Sequence, residues 1–209
     1  MAKHEDLYPL ILPEVPGCPI PTVRMAINRA ARELCTQGLA WREDAYNVYL
    51  RPDAFEYDMD ADCGAEVVVL NSAKIDGRPL SLMTDPRALV SWGSRTGGVQ
   101  RVAVSPDALR VWVDPMPSDK QVMTLNVALR PSLRATTLPE VIVRRYEEAL
   151  ASGAKWFLMR MPRQTWTDGA AATVAKGEFD MKVGEARVEA ETGNVTGSLR
   201  VTPRAFGRR

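Results

Sequence analysis

The sequence is poor in side chains that act as nucleophiles, general bases or transition-metal ligands. Its single histidine, His4, lies close to the first residue. One histidine there excludes the usual Ser-His-Asp and Cys-His catalytic arrangements and any zinc site that needs two histidines. Cys18, Cys35 and Cys63 are widely spaced, which argues against a thiolate metal site and a disulfide framework. No GxxxxGK[ST] phosphate loop is present either.

The densest group of carboxylates lies in residues 57–66, where aspartates alternate with other residues as they do in calcium-binding loops. The spacing departs from that of the EF-hand, because Gly64 falls one position late and Val69 stands where the bidentate glutamate would be. We therefore interpret the segment as an exposed acidic loop, and we predict no metal, no cofactor and no catalytic residue. An enzyme site built from carboxylates alone stays open as an alternative. Its candidate residues are Asp58, Asp60 and Glu66.

The composition is that of an ordinary globular protein. The 209 residues are 45% apolar and 25% charged, with a formal net charge of +1. A chain so close to neutral gives no sign of a broad nucleic-acid-binding surface. No apolar run approaches the roughly 20 residues that cross a bilayer, and prolines interrupt the apolar stretch near the N-terminus. We predict a protein made and kept in the cytoplasm, without a membrane partner.

Apolar residues recur at intervals of three and four in three segments, which predicts three main helices. The first is expected to end at Gly38, in the left-handed conformation. Pro162 ends the second, and Thr167 with Asp168 provides a cap for the third. Phe179 belongs to the buried stripe of the third helix. The three helices are predicted at about 21–37, 138–161 and 168–192.

The residues between about 45 and 130 favour strands, because apolar and polar side chains alternate and turn residues separate the runs. Asp76-Gly77, between two short apolar runs, indicates a β-hairpin. In the run 122–129, Met123 and every second residue after it form the more apolar face. Strands and helices are segregated along the chain. This predicts an α+β fold, a bundle of the three helices with an inserted antiparallel β-rich region.

Both ends of the chain differ from the middle. Residues 1–20 contain four prolines among scattered apolar residues, which predicts an extended arm packed on its own body or on a neighbour. Residues 193–209 contain arginines and no acidic residue, and we interpret them as a basic arm that orders on a partner. The predicted organisation is an N-terminal arm (1–20), a helical body (21–44 and 131–192), a β-rich region (45–130) and a C-terminal arm (193–209).

Several short motifs follow one another in a characteristic order. They are Ile27-Asn28-Arg29-Ala30-Ala31-Arg32-Glu33-Leu34-Cys35 with Trp41, then Leu138-Pro139, Tyr146-Glu147-Glu148-Ala149-Leu150, Gly153-Ala154, Leu158, Trp166-Thr167-Asp168, the helix residues Ala170, Ala171, Phe179, Gly184 and Ala186, and Arg204-Ala205-Phe206-Gly207. In this order and spacing the sequence resembles the adaptor proteins that join the portal of tailed phages to the tail. That group includes the tail tubular protein A of short-tailed phages.

The resemblance implies a structural protein of the virion neck and no catalytic residue. It implies a ring, expected to have twelve copies, beneath the portal protein, with the genome DNA passing non-specifically through the lumen. It also implies that the β-rich region faces a tail tube or nozzle protein and that the C-terminal arm reaches into the portal. The residues expected to contact the portal are Arg200, Arg204, Phe206, Arg208 and Arg209.

Three other functions stay open. The protein could be another virion ring protein, such as a stopper or tail-completion protein, an enzyme with the carboxylate site above, or a nucleic-acid-binding module that uses its basic tail. The oligomeric state separates the ring proteins from the enzyme. Salt-dependent DNA binding that is lost on deletion of residues 200–209 would favour the nucleic-acid module.

Overall fold

The computed structural model describes residues 1–59, 61, 64–84 and 93–192. Helices and strands are segregated along this part of the chain, which confirms the α+β prediction. No helix among the described residues is long and apolar enough to cross a bilayer. The helices are α1 (Tyr8–Ile11), α2 (Ile20–Gln37), α3 (Glu140–Met159) and α4 (Gly169–Thr192). The strands are β1 (Ala2–Lys3), β2 (Trp41–Leu50), β3 (Glu56–Asp58), β4 (Ala65–Ile75), β5 (Arg78–Pro79), β6 (Ser81–Leu82), β7 (Thr96–Gly97), β8 (Arg101–Val104), β9 (Arg110–Asp114), β10 (Met116–Pro117), β11 (Gln121–Pro131) and β12 (Thr137–Leu138).

The first twenty residues do not form the extended arm that the sequence predicted. Single 3-10 turns at His4–Leu7 and Leu12–Glu14 flank α1, and the segment packs against the helices of its own chain. Two of its prolines occupy first-turn positions, where proline costs no helical hydrogen bond. Leu7, Ile11 and Val15 recur every four residues and are fully buried. The apolar residues of this segment therefore belong to the core of the protein.

Helices α2, α3 and α4 pack against one another. Their ends agree with the predicted ones to within about two residues, because proline and capping signals act locally. Asp168 caps α4, since its Oδ1 accepts hydrogen bonds from the backbone N–H groups of Ala170 and Ala171, both at 3.0 Å. Phe179 is fully buried between the helices, as predicted.

Gly38, at the end of α2, has a different role from the one predicted. Its φ is −83°, and the left-handed conformation belongs to Leu39, whose φ is 48°. A Cβ at Gly38 would lie 2.8 Å from the carbonyl oxygen of Leu34 and 3.1 Å from the Cβ of Ala186. The glycine is therefore needed because α4 passes close to the end of α2.

Strand β11 lies inside the larger sheet, whose strand order is β2-β11-β4-β5. It pairs antiparallel with β2 and with β4, and β5 joins through the Asp76-Gly77 hairpin that the sequence predicted. The second four-stranded sheet has the order β3-β9-β8-β6. The region is not wholly antiparallel, because β6 pairs with β8 and β7 pairs with β10 in parallel. In both parallel pairs the chain returns through a crossover instead of a hairpin.

The β-rich region has a core of its own. Met123, Leu125, Val127 and Leu129 are at most 2% exposed, which confirms the predicted apolar face of β11. The region begins at Trp41 and ends at Pro131, slightly outside the predicted 45–130. Helix α2 packs against β11, so the two cores meet along this strand.

Candidate interaction surfaces

The residues that the sequence indicated as portal contacts lie outside the described residues. These are Arg200, Arg204, Phe206, Arg208 and Arg209. Helix α4 ends at Thr192, so the segment that carries them follows this helix directly. Their contacts stay a prediction.

Two of the three candidate residues of a carboxylate site, Asp58 and Glu66, are bound by different arginines. Asp58, in β3, has its Oδ1 3.5 Å from Nε of Arg110. Glu66, in β4, receives hydrogen bonds from Arg32. Because β3 and β4 belong to different sheets, the structure does not bring these two carboxylates into one site. Asp60 lies outside the described residues, and no cluster of three or more His, Cys, Asp or Glu in the described ranges could hold a metal ion.

Glu66 joins the helices to the larger sheet. Two guanidinium nitrogens of Arg32, in α2, donate to its carboxylate at 3.2 and 3.1 Å, and Arg130, in β11, donates at 2.8 Å. Burial by itself would raise the pKa of Glu66. The hydrogen bonds from the two arginines outweigh burial, so the pKa lies below its ordinary value. The ionised carboxylate therefore ties α2 to β4 and β11.

Asn28 makes a second connection from α2. Its side-chain nitrogen donates to the carbonyl oxygens of Ser132 and Leu133, at 3.1 and 3.0 Å, and this fixes the orientation of the amide. The other end of the amide, Oδ1, is buried and has no hydrogen-bond partner in the described part of the chain. A buried acceptor without a donor costs about 1–3 kcal/mol.

A basic groove of about 550 Å³ lies between α2 and the segment 133–136. Four arginines line it, and no acidic residue does. Two apolar side chains in the groove, Met25 and Leu133, are 58% and 76% exposed. Exposed apolar side chains among arginines are typical of a protein-binding surface. We call this surface the basic groove, and the residues that define it are Arg24, Met25, Asn28, Arg29, Arg32, Leu133 and Arg134.

The arginines of the basic groove differ in how far they are neutralised. Arg24 and Arg32 form ion pairs with carboxylates of their own chain. The guanidinium carbon of Arg29 lies 4.3 Å from the centre of the Phe157 ring, in a cation–π contact. Arg134 is exposed. Neither Arg29 nor Arg134 has a carboxylate within 4.0 Å among the residues that the structure describes, so both can attract an acidic partner.

His4 lies at the edge of the basic groove and is only 3% exposed. Burial lowers its pKa, and the positive charge of Arg24 lowers it further. Its Nε2 has no hydrogen-bond partner in the described part of the chain. The imidazole is therefore neutral at physiological pH and adds no positive charge to the groove.

Sequence reasoning missed the basic groove. The arginines of α2 were visible as residues outside the apolar stripe of that helix. Their partners, residues 133–136, follow about a hundred positions later, and no local pattern indicated that the two segments meet. The exposed Met25 between arginines was the one available signal, because an exposed methionine on a charged helix face is a common feature of binding surfaces.

A second groove, of about 900 Å³, runs between α3 and α4. It lies beside a kink in α3, where Tyr146 has φ −125° and ψ 29°. The Tyr146 hydroxyl donates to the carboxylate of Glu189 at 2.6 Å, and Arg145 forms an ion pair with the same carboxylate. The charged residues that line this groove have both signs and neutralise one another. They therefore point to no single class of ligand.

Helix α4 has a second apolar stripe, away from the core. Val174, Met181 and Val188 recur every seven residues and are 65%, 56% and 61% exposed. Gly177 and Gly184 lie between them, and a Cβ added to either would meet no atom within 4 Å. A seven-residue repeat of this kind places all five residues on one side of a helix, as in a coiled coil. We call these five residues the outer face of α4.

The charges around the outer face of α4 are mainly acidic. Among the exposed charged residues of α4, four are acidic and one is basic. They are Glu178, Asp180, Glu185 and Glu191, with Arg187. Several of them pair with residues of the same helix, and such exposed ion pairs contribute little to stability. The outer face is thus an apolar stripe with an acidic border.

Both the basic groove and the outer face of α4 lie within the part of the chain that matches a known family. A family model described as SU10 adaptor protein matches residues 11–202. A comparison with curated proteins gives no match. Because the family match spans nearly the whole chain, this protein belongs to the SU10 adaptor family, whose members are phage head-to-tail adaptor proteins.

Proposed function

We propose that copies of this protein form a ring in the neck of the virion, where the ring joins the portal to the tail. The observation that carries the proposal is the family match over residues 11–202. A phage adaptor is a component of the virion and associates with portal and tail proteins in general. Membership of a structural family also implies a role without catalysis.

Closure of a ring requires two different surfaces on each copy, because each copy contacts one neighbour with one surface and the next neighbour with the other. The basic groove and the outer face of α4 support this requirement. They differ in charge, both expose apolar side chains, and they share no residue. The ring is expected to contain twelve copies, as the resemblance to portal adaptors implies.

The portal contact is assigned to residues 193–209. This segment follows α4 directly and carries arginines without any acidic residue, so it suits an acidic surface of the portal. Within it, Arg200, Arg204, Phe206, Arg208 and Arg209 are the proposed contacts. The β-rich region then faces the tail tube or nozzle protein.

The genome passes through the lumen and contacts the ring non-specifically. The chain has a formal net charge of only +1, which suits weak contact with a polyanion. A tight site for DNA would slow the passage of the genome, whereas weak and salt-sensitive contacts would not.

Two variants of residues 193–209 test the portal contact. Deletion of the segment is expected to leave the body folded, with unchanged circular dichroism, and to abolish co-migration with the portal protein. A control in which the four arginines are replaced by lysine keeps the charge and is expected to retain most of the docking, with some loss of bidentate contacts. Full docking by the deletion variant would contradict the assignment of this segment to the portal.

A further inference from the structure

We propose that the outer face of α4 in one copy docks into the basic groove of the next copy. The inference rests on the proposed ring and names the two surfaces by which neighbouring copies meet. The basic groove is formed by α2 and the segment 133–136, whereas the outer face belongs to α4, so one copy can use both surfaces at once.

The outer face of α4 has the features of a protein-binding surface. Val174, Met181 and Val188 expose more than half of their area, and core packing explains none of these positions. The glycines between them leave open space above the helix backbone, so a neighbouring element can approach closely. Exposed apolar residues in a continuous stripe along a helix mark an interaction surface in a protein that functions in assemblies.

The basic groove complements this stripe in both polarity and charge. Met25 and Leu133 provide exposed apolar contacts for the stripe. Arg29 and Arg134 have no carboxylate partner among the described residues, and the acidic border of α4 can supply one. Glu185 is 59% exposed at its side chain and pairs with Lys182 of the same helix at 3.3 Å, an exposed ion pair that contributes little to stability. It is the border residue best placed for this contact, because it immediately follows the exposed Gly184. Opposite charge at the rim favours the correct pairing of the two surfaces.

Two other occupants of the groove fit less well. Residues 193–209 of a neighbouring copy carry only positive charge, so the arginines of the groove would repel them. The phosphates of DNA would suit the arginines. They have no apolar group for Met25 and Leu133. The side chains of a protein supply carboxylates and apolar groups together.

A mixed cross-linking experiment tests the contact directly. One full-length variant carries Met181→Cys on the outer face of α4, and another carries Leu133→Cys in the basic groove. Cys63→Ser is included in both, while Cys18 and Cys35 are buried and can stay. The two variants are mixed with portal protein and treated with a short bismaleimide. A control mixture pairs Leu133→Cys with Leu109→Cys, an apolar residue of the β-rich region that is 61% exposed.

A cross-linked dimer is expected in the first mixture and neither in the control mixture nor with either variant alone. Cross-linking of Met181→Cys alone would mean that α4 meets α4, and it would overturn the proposal. Equal yields in the two mixtures would overturn it as well. Light scattering of the same samples shows whether rings form, so a missing cross-link can be distinguished from a missing ring. Rings without the expected cross-link leave the proposed function intact, whereas the absence of any ring removes both.

A charge exchange provides the second test. Arg134→Glu is expected to lower the yield of the Met181–Leu133 cross-link about threefold to tenfold, and Glu185→Arg on the opposite partner is expected to restore it. Both residues are exposed, so neither substitution should affect folding. If DNA occupies the groove instead, Arg134→Glu will weaken binding of duplex DNA and leave the yield of the cross-link unchanged. That result would overturn the proposal.

Discussion

The helical core and the core of the β-rich region are filled with side chains of different size. Among the described residues, alanine supplies eight of the 24 buried residues of the helical core, which pack with Leu, Ile and Val side chains and with Phe157 and Phe179. The core of the β-rich region has one alanine, Ala73, among its 14 described buried residues, and the others are Val, Leu, Ile and Met with Tyr57 as the buried aromatic residue. Sheets lie about 10 Å apart and need large side chains to fill the space, whereas helices approach one another until their side chains touch. Side-chain size therefore sets the distance between helices and has less influence on the distance between sheets.

The two parts are not independent. Helix α2 packs against β11, and Arg32 and Asn28 reach from that helix to the carboxylate and the carbonyl groups at the end of the sheet. We therefore expect substitutions in the two cores to lower the free energy of unfolding by different amounts. Both should shift the same unfolding transition.

The largest effect is expected for Phe179→Ala. The side chain is fully buried between helices that touch through small residues, so its loss leaves a cavity that alanines cannot fill. We expect a loss of about 3–5 kcal/mol in the free energy of unfolding, measured by chemical denaturation. Val174→Ala, on the exposed side of the same helix, is the control and should stay within about 0.5 kcal/mol of the wild type. If Phe179→Ala has the same denaturation midpoint as the wild type, Phe179 is not packed between α4 and its neighbouring helices.

Leu125→Ala makes the equivalent deletion in the β-rich core. Leu125 is fully buried on β11, which is hydrogen-bonded to a strand on each side. A loss of about 3 kcal/mol is expected. The same single transition should shift as in Phe179→Ala, because α2 and β11 connect the two cores. Two separate transitions, one moved by each substitution, would show that the two parts unfold independently.

Gly153→Ala adds a methyl group to the helical core. The new Cβ would lie 2.8 Å from the Cβ of Ala30 and 2.8 Å from the Phe179 ring, so α2 and α4 must both give way. We expect a loss of about 1–3 kcal/mol, although alanine is the better helix former. The matched control is Gly177→Ala, where the methyl group meets no atom, and a gain of about 0.5–1 kcal/mol is expected there. Stabilisation by both substitutions would refute the close approach of the helices.

Glu66→Gln removes charge from the junction of the two parts. About a third of the Glu66 side chain is exposed, so a loss of about 1 kcal/mol is expected at neutral pH. Because the pKa of Glu66 in the folded protein lies below its ordinary value of 4.5, the carboxylate stabilises the fold above that pH. This contribution falls as the pH drops below about 4.5, and the variant should then approach the wild type.

Denaturation curves from pH 7 to pH 3 measure this effect. Asp76→Asn, in the exposed β-hairpin turn, is the control for removing a carboxylate that lies away from the junction. A difference between Glu66→Gln and the wild type that does not shrink at all as the pH falls would mean that packing, and not ionisation, stabilises the junction.

The sequence predicted the helical part far better than the rest. Helical spacing and caps such as Asp168 act within a few residues, so α2, α3 and α4 could be placed from short segments. The N-terminal segment was misjudged because prolines were taken to exclude helix. Leu7, Ile11 and Val15 already had helical spacing, and proline is compatible with the first turn.

The parallel pairs of the β-rich region and the basic groove depend on contacts between distant residues. Strand β6 pairs with β8, and Asn28 meets Ser132 more than a hundred residues later. Alternation of apolar and polar side chains predicts where a strand lies but not which strand it pairs with. Helical spacing likewise does not show what covers the outer side of a helix. The groove could therefore be recognised only in the folded chain.

We expect this adaptor to function as a ring on the portal. The mass of the full-length protein in solution, measured by light scattering with and without the portal protein, decides whether it does. Many copies, twelve as the resemblance to portal adaptors implies, are expected to join each portal ring. A protein that stays monomeric in both conditions and never co-migrates with the portal would show that no such ring forms.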